Sequence, residues 1–439
     1  MLAVFGLIFK TDPLVLANFF NAVLFGSIVF ISGILAFKLT RNSIVFSLLA
    51  SLAVVFSVPL YGVTTMAWSE TLFIFLVMLF FFVYTLYSTN PKNIYLLLLI
   101  CITASVCLTR YIGIILIFVG IISILRVSGH FKKISHLVCF SIFSSLPITA
   151  WLIKNMLISG TFTGTRQYSE HTIFENIHSL LVNLFSWFFS DQIKSNRILL
   201  LVIGLILCIL IGFYIRNLIS KKITISSIQS VLVIFTLVYI ISLLASSISS
   251  FWQLIDNRYL SPVFIPITLL IFIFADDVLI IMQEQHSLKF ILPVIILILT
   301  ISITYSGKNT LKNSQELASY RLGFNTQANL QSETTEYLIK NPSVVDNCKV
   351  YTNNPIAISF VAYFPAETSP GREVNYLTSI VTDDITKLDD SWITQRSCLI
   401  WFHSDSRYIL YSLNDLKKII RLDLMYSFND GAIYAIEKK

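Results

Sequence analysis

The chain has 439 residues, of which 56% are hydrophobic and only 13% are charged. A soluble globular protein carries about 25% charged residues, so this composition excludes an ordinary soluble enzyme. The formal net charge of +7 does not indicate nucleic-acid binding, because much of it lies in short loops between apolar segments, where it sets orientation.

Apolar segments of nearly span length follow one another through most of the chain. A bilayer span needs roughly 20 predominantly apolar residues. The segments are 15–37, 44–60, 71–89, 94–109, 111–125, 136–157, 198–219, 226–248, 260–282 and 288–305. They predict an α-helical polytopic membrane protein with about ten spans.

The stretch 94–125 has two interpretations. Read as two short segments broken near Arg110 and Gly113, it keeps the downstream topology. Read as one long helix, it would move every later loop to the opposite side of the membrane. We favour the two short segments, because the single helix would move the basic cluster at 126–133 to the outer side, against the excess of lysine and arginine expected in cytoplasmic loops.

The longest outer connection covers residues 159–197 and contains an amphipathic run, 173–189, rich in Phe and Trp. A helix lying in the membrane interface is the simplest interpretation. A lid over a lipid-substrate cavity is the functional alternative.

The composition becomes polar and mixed near residue 306. We therefore predict a membrane domain over 1–306 and a small soluble α/β domain over 307–439, on the outer side. Within it we expect helices at 327–340 and 412–420, strands at 349–352 and 399–402, and a hairpin of 422–428 with 432–437. Cys348 and Cys398 each precede a predicted strand, so a disulfide between them is possible if those strands are neighbours and the compartment is oxidising.

Glu70 stands at the outer start of an apolar segment, directly after Trp68 and Ser69. An ionisable residue near hydrocarbon is a functional-site hypothesis by default. It is a candidate base, metal ligand or acceptor from a sugar hydroxyl. The plain alternative is a first-turn carboxylate favoured by the helix dipole, with the serine near the N-cap.

Three further polar sets lie at the ends of apolar segments on the same predicted side: Arg110-Tyr111, Lys154-Asn155 and Asp256-Asn257-Arg258-Tyr259. An arginine held near lipid binds phosphate through its fork of donors. Each set alone is also explained as an interfacial anchor, and Asp256 and Arg258 have the option of pairing with each other. The joint location favours a site for a lipid-linked phosphate and a polar acceptor.

Several soluble-enzyme signatures are absent from the sequence, including a Walker motif, GxGxxG, HExxH and a CxxC pair. Without a Walker motif, an ATP-driven pump is disfavoured.

At these residues the chain resembles the GT-C class of membrane glycosyltransferases, in particular the glycosyltransferase family 39 group, which includes protein O-mannosyltransferases and the lipid A aminoarabinose transferase. Each matching stretch is short, and their order and spacing carry the likeness. The stretches are Asp12-Pro13-Leu14 with Asn18 and Asn21, Met66 to Phe73, Leu108 to Gly113, Trp151 to Asn155 with Gly160 to Gly164, Asp256 to Leu260 with Pro262 and Pro266, and Val350 to Pro355.

The resemblance implies transfer of a sugar, such as a hexose, from a polyprenyl-phosphate donor on the outer face of the plasma (inner) membrane, to a glycan, lipid or protein acceptor. It implies that Arg110, Lys154 and Arg258 hold the donor phosphate or shape its cavity. Glu70 matches the second acidic position of such sites, and a divalent metal ion is a possible cofactor.

The family carries a further catalytic Asp in a first outer loop, which would precede residue 1 of this sequence. We therefore expect a fragment of a transferase, a transferase with a mis-called start codon, or a truncated and inactive copy. The alternatives are a non-catalytic membrane scaffold and a lipid-linked-sugar transporter.

Overall fold

The structure is a computed structural model. It describes residues 6–8, 10, 13–66, 68–127, 133–163, 171–188, 226–249, 254–283, 291–320, 331–346, 348–355, 357–375, 380–382, 393, 396–403 and 410–438. The chain divides into two compact units, Met1–Lys312 and Asn313–Lys439, and each is described by itself.

The first unit is helical throughout its described part. Its helices are α1 (Pro13–Leu39), α2 (Ile44–Val55), α3 (Val58–Thr64), α4 (Glu70–Thr89), α5 (Asn93–Thr109), α6 (Ile115–Arg126), α7 (Lys133–Ser159), α8 (Ile173–Phe188), α9 (Ser227–Ser249), α10 (Asn257–Gln283) and α11 (Ile291–Tyr320). The predicted apolar segments fall on these helices, except 198–219, which lies outside the described residues.

Within the described residues, five helices are long and apolar enough to cross a membrane, and the bent pair α2 and α3 makes a sixth if it forms one span. Helices α5 and α6 are apolar but shorter. The protein is therefore polytopic and helical, while the figure of about ten spans stays a prediction.

The bend between α2 and α3 measures 52° and has a local cause. The helix restarts after Phe56 because the side chain of Ser57 accepts a hydrogen bond from the backbone of Leu60 and caps α3. The carbonyl oxygen of Phe56 accepts hydroxyl hydrogen bonds from Ser306 at 2.6 Å and Thr310 at 2.8 Å. The carbonyl of Phe56 at the break is thus satisfied by two hydroxyl groups of α11, as a backbone group in an apolar environment requires.

The stretch 94–125 folds back on itself. Helix α5 ends where Arg110 adopts an extended conformation, and a short 3-10 turn, Tyr111–Ile114, leads into α6. The hydroxyl of Tyr84, near the end of α4, donates to the carbonyl of Ser123, near the end of α6, at 3.1 Å. The end of α6 therefore lies at the end of the bundle where α4 ends and α5 begins, which agrees with two short antiparallel segments.

Two helices form the centre of this unit. In the most apolar 18-residue stretch of each helix, 72% of the stretch is buried in α10 and 61% in α4, compared with 28% in α1. At one end of the bundle Arg41 pairs with Asp276 at 3.6 Å and with Asp277 at 3.3 Å. The other end contains the starts of α4 and α10.

Helix α11 continues through residue 306, where the composition changes, and ends at Tyr320. Ser306 and Thr310 bind the Phe56 carbonyl, and Gly307 lies against the Phe56 ring. Residues 306–312 therefore pack with the helical unit, although their composition resembles that of a soluble domain.

The second unit is a small mixed α/β fold. Its elements are α12 (Glu333–Lys340), β1 (Lys349–Thr352), β2 (Ala366–Thr368), β3 (Glu373–Asn375), β4 (Ile380–Thr382), β5 (Ser397–Phe402), α13 (Leu413–Ile419), β6 (Ile420–Ser427) and β7 (Gly431–Lys438). Five strands form one sheet in the order β2-β1-β5-β7-β6, and β3 pairs with β4 separately. Strands β1, β2 and β5 are parallel, and β7 runs antiparallel to β5 and β6.

The predicted strands and hairpin of this unit are present, with boundaries shifted by one or two residues. The predicted helix over 327–340 begins at Glu333, because Ser332 caps it through the backbone of Thr335; residues 327–330 lie outside the described part. Helix α13 starts with a reciprocal capping box between Ser412 and Asp415.

Cys348 and Cys398 form a disulfide, with their Cα atoms 5.8 Å apart. The bond is possible because β1 and β5 are parallel neighbours and pair Val350 with Cys398. It ties the centre of the sheet together.

Candidate functional site

Three of the charged residues from separate polar sets meet at one end of the helical unit. Oε1 of Glu70 lies 2.8 Å from Nη1 of Arg110 and 2.6 Å from Nε of Arg258. The Glu70 side chain is fully buried, that of Arg110 is 15% exposed and that of Arg258 is 39% exposed. One carboxylate therefore holds two guanidinium groups, of which one faces the surroundings.

Each of these side chains is placed by the end of a helix. Glu70 is the first residue of α4, after Ser69, whose side chain makes no capping hydrogen bond. Arg110 stands at the break after α5, which is possible because Gly113 lies so close to α5 that a Cβ on it would be 2.6 Å from the Val106 carbonyl oxygen.

Asp256 caps α10. Its Oδ1 accepts from the backbone N–H groups of Arg258 at 2.9 Å and Tyr259 at 3.2 Å. The Arg258 guanidinium reaches Glu70. The sequence left open whether Asp256 and Arg258 pair with each other. In the structure the Asp256 carboxylate binds backbone N–H groups of α10, and the Arg258 side chain pairs with Glu70 instead.

Aromatic rings surround the two arginines. The Arg258 guanidinium lies 4.0 Å from the centre of the Trp68 ring and 5.8 Å from that of Tyr259. The Arg110 guanidinium lies 5.9 Å from the Phe73 ring. Such contacts are attractive because the ring face carries negative charge, and they hold the guanidinium planes in place.

The Lys154-Asn155 set lies beside Tyr111. The Tyr111 hydroxyl accepts from Nε1 of Trp151 at 3.1 Å and from Nδ2 of Asn155 at 3.2 Å. Lys154 is exposed, and its ammonium group lies 5.2 Å from the Trp151 ring. The structure therefore brings this set next to the Arg110 turn, with Lys154 on an aromatic ring of its own helix.

Charge decides what the cluster is able to bind. Two arginines and one glutamate leave a surplus of one positive charge. Among the residues that the structure describes, Oε2 of Glu70 and Nη1 of Arg110 are buried without a hydrogen-bond partner, although Nη1 lies 2.8 Å from Oε1 as an ion pair. A guanidinium has donors to spare after one ion pair, and it binds phosphate or carboxylate oxygens well. The arrangement suits an anionic ligand.

Among the residues that the structure describes, no group of three or more His, Cys, Asp or Glu side chains is placed to hold a metal ion. Arg166, Tyr168 and Glu170 of the long outer loop, and Asp12 of the matching stretch at the start, lie outside the described residues.

Several residues that contribute to the geometry were not singled out from the sequence. The hydroxyl of Tyr239, a residue buried in α9, donates to the carbonyl of Tyr259 at 2.9 Å. Trp187 on α8 donates to Oδ1 of Asn257 at 2.7 Å. Their signal in sequence is weak, because a lone Tyr or Trp in an apolar segment looks the same whether it faces lipid or protein.

No protein-family model matches this chain, and no curated protein sequence matches it at a significant level. Among solved structures, the chain is similar to the crystal structure of ArnT from Cupriavidus metallidurans bound to undecaprenyl phosphate, with a TM-score of 0.56. The alignment covers 99% of this chain and 86% of that chain at 10% sequence identity. At that identity the likeness concerns the fold alone: the chain has a polytopic helical membrane fold similar to that of the ArnT structure.

Proposed function

We propose that this protein is a membrane glycosyltransferase that uses a polyprenyl-phosphate-linked sugar as donor. One observation carries the proposal. Arg110 and Arg258 converge on the buried Glu70 at one end of the bundle and leave a surplus positive charge. The ArnT structure, which shares the fold, holds undecaprenyl phosphate, which is the type of anion that such a cluster would accept.

In this proposal the two arginines carry the donor phosphate. When the bond between the sugar and the phosphate breaks, negative charge grows on the departing phosphate, and fixed guanidinium donors stabilise it as it forms. Arg258 offers the more accessible group, since its side chain is 39% exposed. Arg110 is only 15% exposed, so its charge lies in a less hydrated environment, where its attraction for the phosphate is stronger.

Glu70 would then act mainly by orienting the arginines. Its Oε1 is occupied by both guanidinium groups, while Oε2 is left to accept a hydrogen bond from the ligand. Of the candidate roles of Glu70, the proposal therefore uses that of an acceptor for a sugar hydroxyl, and it adds that of an anchor for the phosphate-binding pair.

We place the site on the outer face of the plasma membrane, with the 307–439 domain extracytoplasmic and with a glycan, lipid or protein as acceptor. The support is the distribution of lysine and arginine among the loops. The disulfide between Cys348 and Cys398 agrees with an oxidising compartment.

The test uses the full chain, purified and reconstituted in lipid nanodiscs. We would measure its affinity for undecaprenyl phosphate and the release of labelled hexose from undecaprenyl-phosphate hexose with envelope glycolipids as acceptors. Arg110→Ala should lower transfer by about a hundredfold or more, the usual cost of removing one preorganised donor from developing charge.

The matched control is Arg41→Ala, which also breaks an ion pair, but at the opposite end of the bundle. It should leave transfer and phosphate affinity close to wild type. Phosphate binding without transfer would favour the non-catalytic scaffold. Equal effects of the two alanine variants, or no phosphate binding at all, would refute the proposed site.

A further inference from the structure

We propose that helix α8 is a positioning element for Arg258. Three of its side chains donate hydrogen bonds to the two residues that flank Asp256. Ser179 donates to the Ile255 carbonyl at 2.8 Å and Asn183 to the same oxygen at 3.0 Å. Trp187 donates to Oδ1 of Asn257 at 2.7 Å. The inference rests on the proposed function, since it concerns how the phosphate-binding arginine is aimed.

The three donors occupy one face of α8, because residues four apart along a helix lie above one another. The opposite face is apolar and exposed, with Phe174 at 80% and Leu181 at 46% exposure. Helix α8 therefore has a face suited to lipid and a polar stripe bound to the turn before α10. A helix that merely lies in the membrane interface needs only the apolar face.

The turn that α8 holds is the turn that sets the direction of Arg258. The carbonyl of Ile255 stands one residue before the capping Asp256, which in turn binds the backbone of Arg258. Trp187 also packs edge-on against Phe264, two turns into α10, with ring centres 5.2 Å apart. Helix α8 thus fixes both the entry turn and the first turns of α10.

Arg258 needs this support more than Arg110 does. Its side chain is 39% exposed, so burial alone does not fix its direction. A displacement of about 1 Å in a positioned group costs up to a hundredfold in rate. A long polar helix face bound to one turn is an efficient way to prevent such a displacement.

The experiment compares two double variants of the same helix in the full chain. Ser179→Ala with Asn183→Ala removes both donors to the Ile255 carbonyl. The control is Ser186→Ala with Leu181→Ala: the Ser186 hydroxyl bonds within α8, to the carbonyl of Asn183, and Leu181 faces outward. Trp187→Phe is the second test variant, because it removes the indole N–H and keeps an aromatic ring against Phe264.

The readout is the affinity for undecaprenyl phosphate in nanodiscs, in the wild-type and in the Arg258→Ala background. We expect each test variant to weaken binding about tenfold in the wild-type background and to have no further effect once Arg258 is gone, since coupled residues are non-additive. The control should leave affinity unchanged in both backgrounds.

Additive losses would overturn the inference, because they would show that α8 acts on the fold as a whole. So would unchanged affinity in both test variants while Arg258→Ala weakens binding. If Arg258→Ala itself leaves phosphate affinity unaltered, the proposed phosphate site is wrong and the inference fails with it. That single variant therefore distinguishes failure of the proposed function from failure of the inference about α8.

Discussion

Replacement of Glu70 by glutamine should strengthen phosphate binding, although it removes a charge from the centre of the site. The amide keeps an oxygen where Oε1 now accepts a hydrogen bond from Nε of Arg258 and lies 2.8 Å from Nη1 of Arg110. The geometry of the arginines is therefore retained. The net charge of the cluster rises from one to two positive charges.

The size of the effect follows from the charge that is lost. A phosphate bound on the far side of the guanidinium groups would lie roughly 7 Å from the carboxylate, and at an effective dielectric constant of about 20 the repulsion between them is about 2 kcal/mol. Removing it should tighten binding by about thirtyfold. Transfer should fall at the same time, because the buried acceptor at Oε2 is replaced by a donor.

The assay is the dissociation constant for undecaprenyl phosphate in nanodiscs at fixed ionic strength. Asp276→Asn is the matched control: it makes the same change beside Arg41 at the opposite end of the bundle, where the ion pair spans 3.6 Å. It should leave the constant near wild type. Weaker or unaltered binding in Glu70→Gln, or equal tightening in the control, would refute the electrostatic reasoning.

Three further predictions concern stability. Gly113→Ala should lower the melting temperature in detergent, because the added Cβ would stand 2.6 Å from a carbonyl oxygen of α5 and such overpacking costs about 1–3 kcal/mol; Gly26→Ala, with nothing within 4 Å, should not. Replacing Cys348 and Cys398 by serine should destabilise the second unit by about 4 kcal/mol, which is the chain-entropy value for a separation of 50 residues. Hydrogen exchange measures this loss, and equal protection of the amides in both forms would contradict it. The pKa of Asp415 is lowered to about 2, mainly by the hydrogen bond from the hydroxyl of the capping Ser412. The ionised carboxylate therefore stabilises the fold above its unfolded pKa of about 4, and this stabilisation is lost as the pH falls towards 2. In thermal unfolding, the difference in melting temperature between wild type and Asp415→Asn should disappear over that range.

The sequence was most informative where local chemistry decides the structure. Ser412 before an amphipathic run predicts the start of α13, and the Asn429-Asp430-Gly431 turn predicts the hairpin of β6 and β7. Both elements are present. The break at Arg110 was also predictable, because a charge in an apolar run and a nearby glycine rarely continue a helix.

Long-range pairing was less accessible. Periodicity does not show which helix faces lipid and which faces protein, so the central position of α4 and α10 was not predicted. The meeting of Glu70 with both arginines was expected only as a shared location at one side of the membrane. The role of α8 was missed, since Ser179 and Asn183 are ordinary polar residues until their partner, the Ile255 carbonyl, is known.

The uneven burial of the helices has a consequence for how such a protein diverges. Most of α1 faces outward, because only 28% of its most apolar stretch is buried. On such a surface one large apolar residue can replace another with little loss of stability. In α10, at 72%, each exchange must fit a packed neighbour. A fold of this kind can therefore persist at 10% sequence identity, as long as the side chains of the inner helices continue to pack.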